Sequence, residues 1–164
     1  MSRIANLVDA WQFNRIRTLG LLDKLEQETD AAESLGWRPG PGRAHIGWQL
    51  MHIGITEELF ATERLLPEKQ AQFQGLLPRF RGGSTPDDNI PTAAEIRTVL
   101  SASREHLLDT IHKFDDSQLD WIAPALAERQ LKLLDVLHIL AWHEGHHQGQ
   151  AHLTLNLYNA AKAT

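Results

Sequence analysis

The chain contains no cysteine among its 164 residues, although it contains nine histidines. The absence of cysteine excludes disulfide bonds, thiolate metal sites and cysteine nucleophiles at once. A metal ion bound by this protein would therefore have to be held by histidine and carboxylate side chains.

Long apolar runs and concentrated charge of one sign are also missing. No stretch approaches the ~20 apolar residues of a transmembrane helix, and the N-terminal residues, which include Asp9, lack the pattern of a signal peptide. The formal net charge is −5 and the basic residues are scattered, whereas nucleic-acid binding needs a concentrated basic face. We expect one cytoplasmic domain over residues 1–164, with a small-molecule substrate and no nucleic-acid or membrane partner.

No segment alternates with the two-residue period of a strand, whereas four segments carry apolar residues at helical spacing. They run from about Arg3 to Leu25, Arg43 to Leu66, Thr92 to Phe114 and Lys132 to Ala160. A capping box of Thr92 and Glu95 is predicted to begin the third helix. Residues 67–91 form the one long connection, with four prolines and a short helical turn near 69–76. The predicted fold is all-α, a four-helix bundle with one long crossover between helices 2 and 3.

Five of the nine histidines lie within residues 138–152, inside the fourth predicted helix. His143 and His147 are four residues apart, so they share one face of that helix. This is the apolar face, because Leu140 and Ala151 continue the same stripe on either side. Two imidazoles in a buried seam are costly to desolvate unless their nitrogens find partners, and a divalent metal ion would be such a partner.

The string from His143 to His147 also matches H-E-x-x-H, the zinc motif of metalloproteases. An acidic third ligand would lie downstream, but no acidic residue follows Glu144. The glycine and histidine of the longer motif, expected seven and ten residues after His143, are each one position out of register. The strands that frame a protease cleft are missing as well. We therefore reject the protease interpretation but keep the metal.

The third ligand then has to come from another helix. His52 lies near the middle of the inward seam of the second predicted helix, which makes it the best candidate. Three neutral imidazoles leave at least one coordination position open to water or substrate, as in a catalytic rather than a structural site. This donor set suits zinc, nickel, copper or iron about equally well. We expect a divalent transition metal and favour zinc or nickel.

The other histidines are interpreted as ordinary core or surface residues. A lone histidine on an apolar face usually bonds to a carbonyl group or to water. This interpretation is preferred for His45, His106, His112, His138 and His152. His45 keeps an alternative role at the mouth of the pocket, because it shares the seam with His52 one heptad earlier. His146, about 60° around the helix from His143, is assigned a supporting or surface position.

Two polar neighbours are candidates for a supporting role in the pocket. Glu144 projects about 100° away from His143, so we expect it to orient a ligand or to pair with solvent rather than to bind the metal. Gln150 could place an amide near the ion, the alternative being plain helix packing around Gly149. Trp48 and Trp142 are interpreted as core or lid residues.

The segments Trp48–Ile53 and His143–Gln150 together resemble the two motifs of the DinB/YfiT-like superfamily, and the four predicted helices have the expected spacing over nearly the whole chain. The resemblance implies a metal-dependent four-helix bundle in which His52 and the two histidines of the second segment, His143 and His147, bind the ion. Gln49 stands where relatives often have histidine, which implies an altered pocket beside the metal. Despite the family's name, the resemblance implies no DNA contact.

Some members of that superfamily are thiol transferases that use a low-molecular-weight thiol such as bacillithiol or mycothiol, with the metal favouring the thiolate. By this resemblance the chain would be a thiol-dependent S-transferase or a hydrolase, whose ion activates a thiol or water. Relatives often pair through helix faces, so a homodimer is a further expectation.

Two other functions stay open, and no catalytic residue is assigned. A non-catalytic module that binds a metal or a small ligand is favoured by the lack of a convincing general base. Glu57, Glu58 and Glu63 are near in sequence, but their helical phase does not aim all of them inward. In the third interpretation the histidines are structural and the core stays folded without metal.

Overall fold

The computed structural model describes residues 2–163, which are helical apart from turns, loops and one isolated bridge between Ile122 and Lys132. The helices are α1 (Arg3–Gln27), α2 (Ala31–Gly36), α3 (Ile46–Leu59), α4 (Leu77–Phe80), α5 (Ala93–Ile111) and α6 (Leu133–Lys162). A π-helical turn, Phe60–Arg64, extends α3, and 3₁₀ turns lie at Asp116–Gln118 and Pro124–Arg129. The all-α prediction is confirmed. None of the helices within residues 2–163 has the length and apolarity needed to cross a membrane.

The long helices α1, α3, α5 and α6 pack side by side, with α3 against α5 and α6, and α1 against α6 and α5. Contacts between α3 and α5 advance together along both helices: Gly54 abuts Val99, and three residues later Glu57 bonds Arg104. The two helices therefore run in the same direction. Consecutive helices that run in parallel need a connection that returns along the bundle, and residues 65–92 provide it.

Local capping chemistry fixes where the helices begin. The predicted capping box is confirmed, because Thr92 Oγ1 accepts a hydrogen bond from Glu95 N and the Glu95 carboxylate accepts one from Thr92 N. Helix α3 begins at Ile46, later than predicted, because His45 Nδ1 accepts a hydrogen bond from Trp48 N and caps the helix. The short helix of the long connection is α4, which begins one residue after the end of the predicted range, 69–76. Periodicity did not predict α2, whose six residues are too few to establish a period.

Two apolar clusters fill the interior, and a buried polar layer lies between them. One cluster includes Leu22, Leu100 and Leu155, and the other includes Trp11, Leu107 and Leu140. Along each of α1, α5 and α6, residues of one cluster come first and residues of the other come later, and one charged residue of the polar layer lies between them in sequence. The layer takes one charged residue from each long helix: Arg15, Glu57, Arg104 and Glu144, all less than 7% exposed.

These four residues, which we call the buried ion quartet, form a closed ring of hydrogen-bonded ion pairs. Arg15 bonds Glu57 at 2.8 Å and Glu144 at 2.7 Å. Arg104 bonds the same two carboxylates, each at 2.5 Å. Thr18 Oγ1 donates a further hydrogen bond to Glu144 at 2.9 Å. The formal charges cancel within the ring. Because each of the four residues belongs to a different long helix, the ring ties all four long helices together at one level of the bundle.

Candidate metal centre

His52 of α3 and the two histidines of α6, His143 and His147, meet between these helices. One ring nitrogen from each residue lies within 4.8 Å of the other two, and His52 Nε2 is 3.1 Å from His143 Nε2. In a tetrahedral site with bonds of about 2.0–2.1 Å, two ligand nitrogens are ~3.3 Å apart. The first pair is therefore already near a ligand–ligand separation, and the third nitrogen lies within 4.8 Å of both.

Hydrogen bonds hold two of the rings in the tautomer that a metal ligand requires. His52 Nδ1 donates to the carbonyl oxygen of Phe80 at 2.6 Å, and His147 Nδ1 donates to Gln49 Oε1 at 2.5 Å. Because Nδ1 carries the proton in both rings, the Nε2 lone pair of each ring is free. Carbonyl and amide partners of this kind fix the orientation of metal-binding histidines and raise their basicity.

The donor set fits a divalent transition metal. The three donors are imidazole nitrogens, which suit zinc, nickel, copper and iron rather than the oxygen-seeking magnesium or calcium. His52 is buried, while His143 and His147 are only partly buried. An ion held by the three rings would thus be supported by α3 from inside and reachable from one side.

Burial also keeps the three rings unprotonated. Burial, reinforced by the charges of neighbouring histidines, lowers the pKa of His143 to about 3 and that of His147 to about 4. Burial likewise lowers the pKa of His52, although its hydrogen bond to Phe80 acts in the opposite direction. Metal binding needs neutral imidazole, and at neutral pH the site presents its ligands in that form.

The same pKa shifts predict how the metal-free protein responds to acid. A histidine of the unfolded chain is protonated near pH 6.5, whereas in the folded state His143 is protonated only near pH 3 and His147 only near pH 4, because their pKa values are lowered to about 3 and about 4. The unfolded state therefore binds more protons below pH 6.5. The contribution of these two histidines to the free energy of unfolding is complete above that pH. It decreases as the pH falls, by up to about 1.4 kcal/mol per pH unit for each histidine.

Urea unfolding in the presence of EDTA between pH 7.5 and pH 5 measures this slope. A variant with His143→Gln and His147→Gln should have a shallower slope than the wild-type protein. The matched control replaces the exposed His138 and His152 of the same helix, which leaves the rings of His143 and His147 in place and should retain the slope. Equal slopes in the wild-type protein and in the first variant would contradict the prediction.

The long connection contributes directly to the centre. Besides the Phe80 carbonyl group, it supplies the carbonyl oxygen of Arg79, which accepts a hydrogen bond from Trp48 Nε1 at 3.1 Å. The Trp48 indole stacks on His52 with ring centroids 4.6 Å apart and an interplanar angle of 17°. Trp48 is thus a buried wall of the site. Nothing in the sequence singles out Phe80 or Arg79, because their contribution comes from the backbone.

The single histidines have ordinary partners or lie at the surface. Buried His45 accepts from Trp48 N at Nδ1 and donates to the carbonyl oxygen of Asp87 at Nε2, 3.1 Å away. Both ring nitrogens of His45 are satisfied in this way, as expected of a core histidine. His106 Nδ1 is 2.9 Å from Glu58 Oε1. His112, His138 and His152 are exposed.

The residues predicted to support the ligands do not all lie beside them. Gln49 contacts His147, as described above. His146 is exposed and stacks on Trp142, with Gln150 Nε2 3.0 Å from its Nε2 atom. Trp142, interpreted from the sequence as a core or lid residue, is 63% exposed. It therefore does not belong to the core, and the lid alternative stays a prediction.

Glu144 belongs to the buried ion quartet, and the expectation that it pairs with solvent is wrong, because it is only 1% exposed. Its carboxylate oxygens bond Arg15, Arg104 and Thr18. The sequence analysis missed this quartet, although a signal was available. Arg15 stands four residues after Trp11 and three before Thr18, on the seam that points inward.

A comparison with models of known protein families finds a match for this chain. The sequence profile of the DinB superfamily matches residues 10–151. This range covers most of the chain and contains all three histidines of the cluster. No curated protein sequence matches the chain. From the extent of the family match, the chain belongs to the DinB superfamily.

Proposed function

We propose that the protein binds a divalent transition metal ion, zinc or nickel, through His52, His143 and His147, and that it works as a metal-dependent enzyme. The reaction would be the transfer of a low-molecular-weight thiol or a hydrolysis. The convergence of three ring nitrogens within 4.8 Å of one another carries the proposal. A divalent cation bound there supplies one piece of chemistry, since it lowers the pKa of a bound thiol or water.

The protein's own residues would hold and shape this site. Gln49 and the Phe80 carbonyl group orient two rings, and the indole of Trp48 excludes water from one face of His52. Thr56 Oγ1 lies 3.5 Å from His143 Nε2, so a hydroxyl group is available beside the ligands. The partly buried sides of His143 and His147 leave an approach for a substrate.

The surroundings favour a thiol over water as the activated group. Within residues 2–163 no carboxylate is hydrogen-bonded to the three rings. Glu57 bonds the two arginines of the quartet, and Glu58 Oε1 bonds His106 and the backbone N–H of Gln72, while Glu58 Oε2 is buried without a partner there. Hydrolysis by a metal-bound water usually needs a general base at hand. A thiol has a pKa near 8.5, about seven units below that of water, so a cation alone can ionise it.

The proposal is tested first by metal content and then by turnover. Protein purified without chelator is analysed for transition metals, and a panel of low-molecular-weight thiols is assayed with electrophilic acceptors. We expect about one metal ion per chain and metal-dependent turnover that His147→Ala abolishes. Absence of metal after purification together with absence of uptake on titration would overturn the proposal.

The competing function is a non-catalytic module that binds a metal or a small ligand. The same observation favours it, because no carboxylate within residues 2–163 is hydrogen-bonded to the three rings, where it could serve as a general base. Stoichiometric metal uptake without turnover of any thiol in the panel would select this module.

The homodimer and the cytoplasmic location stay predictions, and analytical ultracentrifugation tests the first of them.

The contact between Gln49 and His147 gives a more specific prediction. Replacing Gln49 by leucine keeps the size of the side chain but removes the acceptor for His147 Nδ1. We expect the affinity for zinc to fall by about 10- to 100-fold, the usual effect of losing such a supporting partner. Competition with a chromophoric chelator measures it. Gln148→Leu on α6 is the control, and an unchanged affinity in Gln49→Leu would contradict the assigned role.

A further inference from the structure

A groove lies beside the histidine cluster, between α6 and the segment that leads into α3. It has a volume of about 370 Å³, and its lining includes His147, Trp48, Leu153, Leu157, Pro39 and Arg43. The volume lies in the range of small-molecule sites. His147 belongs both to the cluster of three histidines and to this groove, so a molecule in the groove would reach the centre.

The α6 side of the groove is apolar and faces solvent. Leu153 is 59% exposed and Leu157 is 44% exposed, which places both among the few large apolar side chains left open to water. Both line the groove. They follow His147 along the helix by six and ten residues, so they extend the groove outward from the histidine cluster. An apolar body lying on them would remove their side chains from water.

The opposite rim carries a single charge. Arg43 is the only Asp, Glu, Lys or Arg side chain among the lining residues, in a chain whose net charge is −5. Within residues 2–163 no ion pair or hydrogen bond occupies its guanidinium group. An unpaired arginine beside an apolar wall favours a carboxylate or a similar planar anion.

The backbone that carries Arg43 is held in place. Its N–H group donates to the carbonyl oxygen of Gly40 at 3.2 Å, and Gly42, with φ at +70°, closes this turn in a conformation that favours glycine. Arg38 donates to the carbonyl oxygen of Arg43 at 2.9 Å and also bonds the carbonyl oxygen of Asp87. The rim is therefore fastened to the long connection and not free to swing away.

We propose that this groove binds a small organic anion, with its apolar body on Leu153 and Leu157 and its carboxylate at Arg43. The end near His147 would then be the part presented to the metal centre. This inference rests on the proposed function in that it names the substrate class of the same site. Binding itself requires only the groove, so it can be measured with and without metal.

The test compares three eight-carbon probes: octanoate, octanamide and octylammonium. Each is titrated into ¹⁵N-labelled protein, once loaded with zinc and once dialysed against EDTA, while amide shifts in residues 39–44 and 147–157 are followed. In the EDTA-treated protein no carboxylate can coordinate a metal. We expect octanoate to bind about 3- to 5-fold more tightly than octanamide there, and octylammonium to bind most weakly.

Variants separate the charge from the apolar wall. Arg43→Gln should erase the difference between octanoate and octanamide, whereas Leu157→Ser should weaken both by a similar factor. Arg129→Gln, at another exposed arginine, is the matched control and should change neither. Equal affinity for octanoate and octanamide in the EDTA-treated wild-type protein, or a preference that survives Arg43→Gln, would overturn the inference.

The two proposals fail separately. A protein that takes up no metal but prefers octanoate through Arg43 would overturn the metal-dependent function and support the anion groove. A protein that binds one metal ion per chain, yet shows no carboxylate preference, would support the metal centre and overturn the anion groove. Metal content is measured on the same samples as the titrations, so the outcome is assigned without ambiguity.

Discussion

Replacing His143 by alanine should lower the affinity for zinc by at least about 100-fold. Loss of a partner that only supports a ligand already costs about 10- to 100-fold, and His143 is proposed to bind the ion itself. Its Nε2 atom is 3.1 Å from His52 Nε2, so the variant loses one member of the best-formed pair. The two remaining rings, oriented by their hydrogen bonds to Phe80 and to Gln49, offer the ion only two ligands.

The same loss should appear in protein stability. A ligand at 100 times its dissociation constant raises the free energy of unfolding by about 2.7 kcal/mol. Zinc should therefore stabilise the wild-type protein by about that amount, and the same zinc concentration should leave His143→Ala almost unchanged. Urea unfolding with zinc or with EDTA measures both effects. His152→Ala, at an exposed histidine of the same helix, should behave like the wild-type protein.

Two results would count against the centre. If His143→Ala keeps the zinc affinity of the wild-type protein, the three rings do not share an ion. If His152→Ala loses as much as His143→Ala, zinc is held by surface histidines of α6 instead. Because both variants remove one imidazole from the same helix, the difference between them isolates the position of the ring.

Helical periodicity predicted the long helices and the meeting of the three histidines because both depend on local geometry. Residues four apart share a helix face wherever the helix lies, so His143 and His147 had to point the same way. His52 followed from the seam of its own helix. The contact between them needs only that the two apolar seams face each other, which burial enforces.

Contacts made by the backbone of the long connection could not be predicted in this way. The Phe80 carbonyl group that orients His52 carries no side-chain signal, and its position depends on the path of the whole segment between α3 and α5. Irregular segments have no period from which their path could be inferred. The delayed start of α3 has a similar cause, since histidine is not among the preferred capping residues.

The buried ion quartet was missed for a different reason. Charged residues are expected at the surface and almost never fully buried unless paired, so Arg104 and Glu144 were not placed in the core. Each lies on an inward position of its helix, and the partner that permits burial comes from another helix. Pairing across helices is a long-range property, which a single helix pattern does not contain.

The quartet gives the second large prediction. Arg104→Met should destabilise the protein by about 3–5 kcal/mol, because it leaves two buried carboxylates to share one arginine. Arg104 has three hydrogen bonds to Glu57 and one to Glu144. Glu57→Leu alone should cost a similar amount, since it leaves two buried guanidinium groups with one carboxylate. Urea unfolding at pH 7 in the presence of EDTA measures each variant.

The double variant Arg104→Met with Glu57→Leu should lose less stability than the sum of the two single losses. It retains the neutral pair of Arg15 and Glu144, joined at 2.7 Å. It also removes the Nη1 atom of Arg104, which is buried and has no hydrogen-bond partner among the described residues. The exposed pair of Lys132 and Asp120 serves as the control, and breaking it should cost less than about 1 kcal/mol. If the stability lost by the double variant equals the sum of the two single losses, the ring of coupled ion pairs is contradicted.

The quartet should also affect the metal centre, because Glu144 is the residue next to His143. Helix α6 can present His143 and His147 toward His52 only in one rotation, and the bonds from Glu144 to Arg15 and Arg104 fix that rotation. A folded Arg104→Met protein should therefore bind zinc more weakly than the wild-type protein, although Arg104 touches none of the three histidines. If the double variant, in which Arg15 no longer divides its bonds between Glu57 and Glu144, recovers the affinity, the quartet acts by positioning α6. If zinc affinity is unchanged in Arg104→Met, packing alone sets the rotation of α6 and the quartet serves stability only.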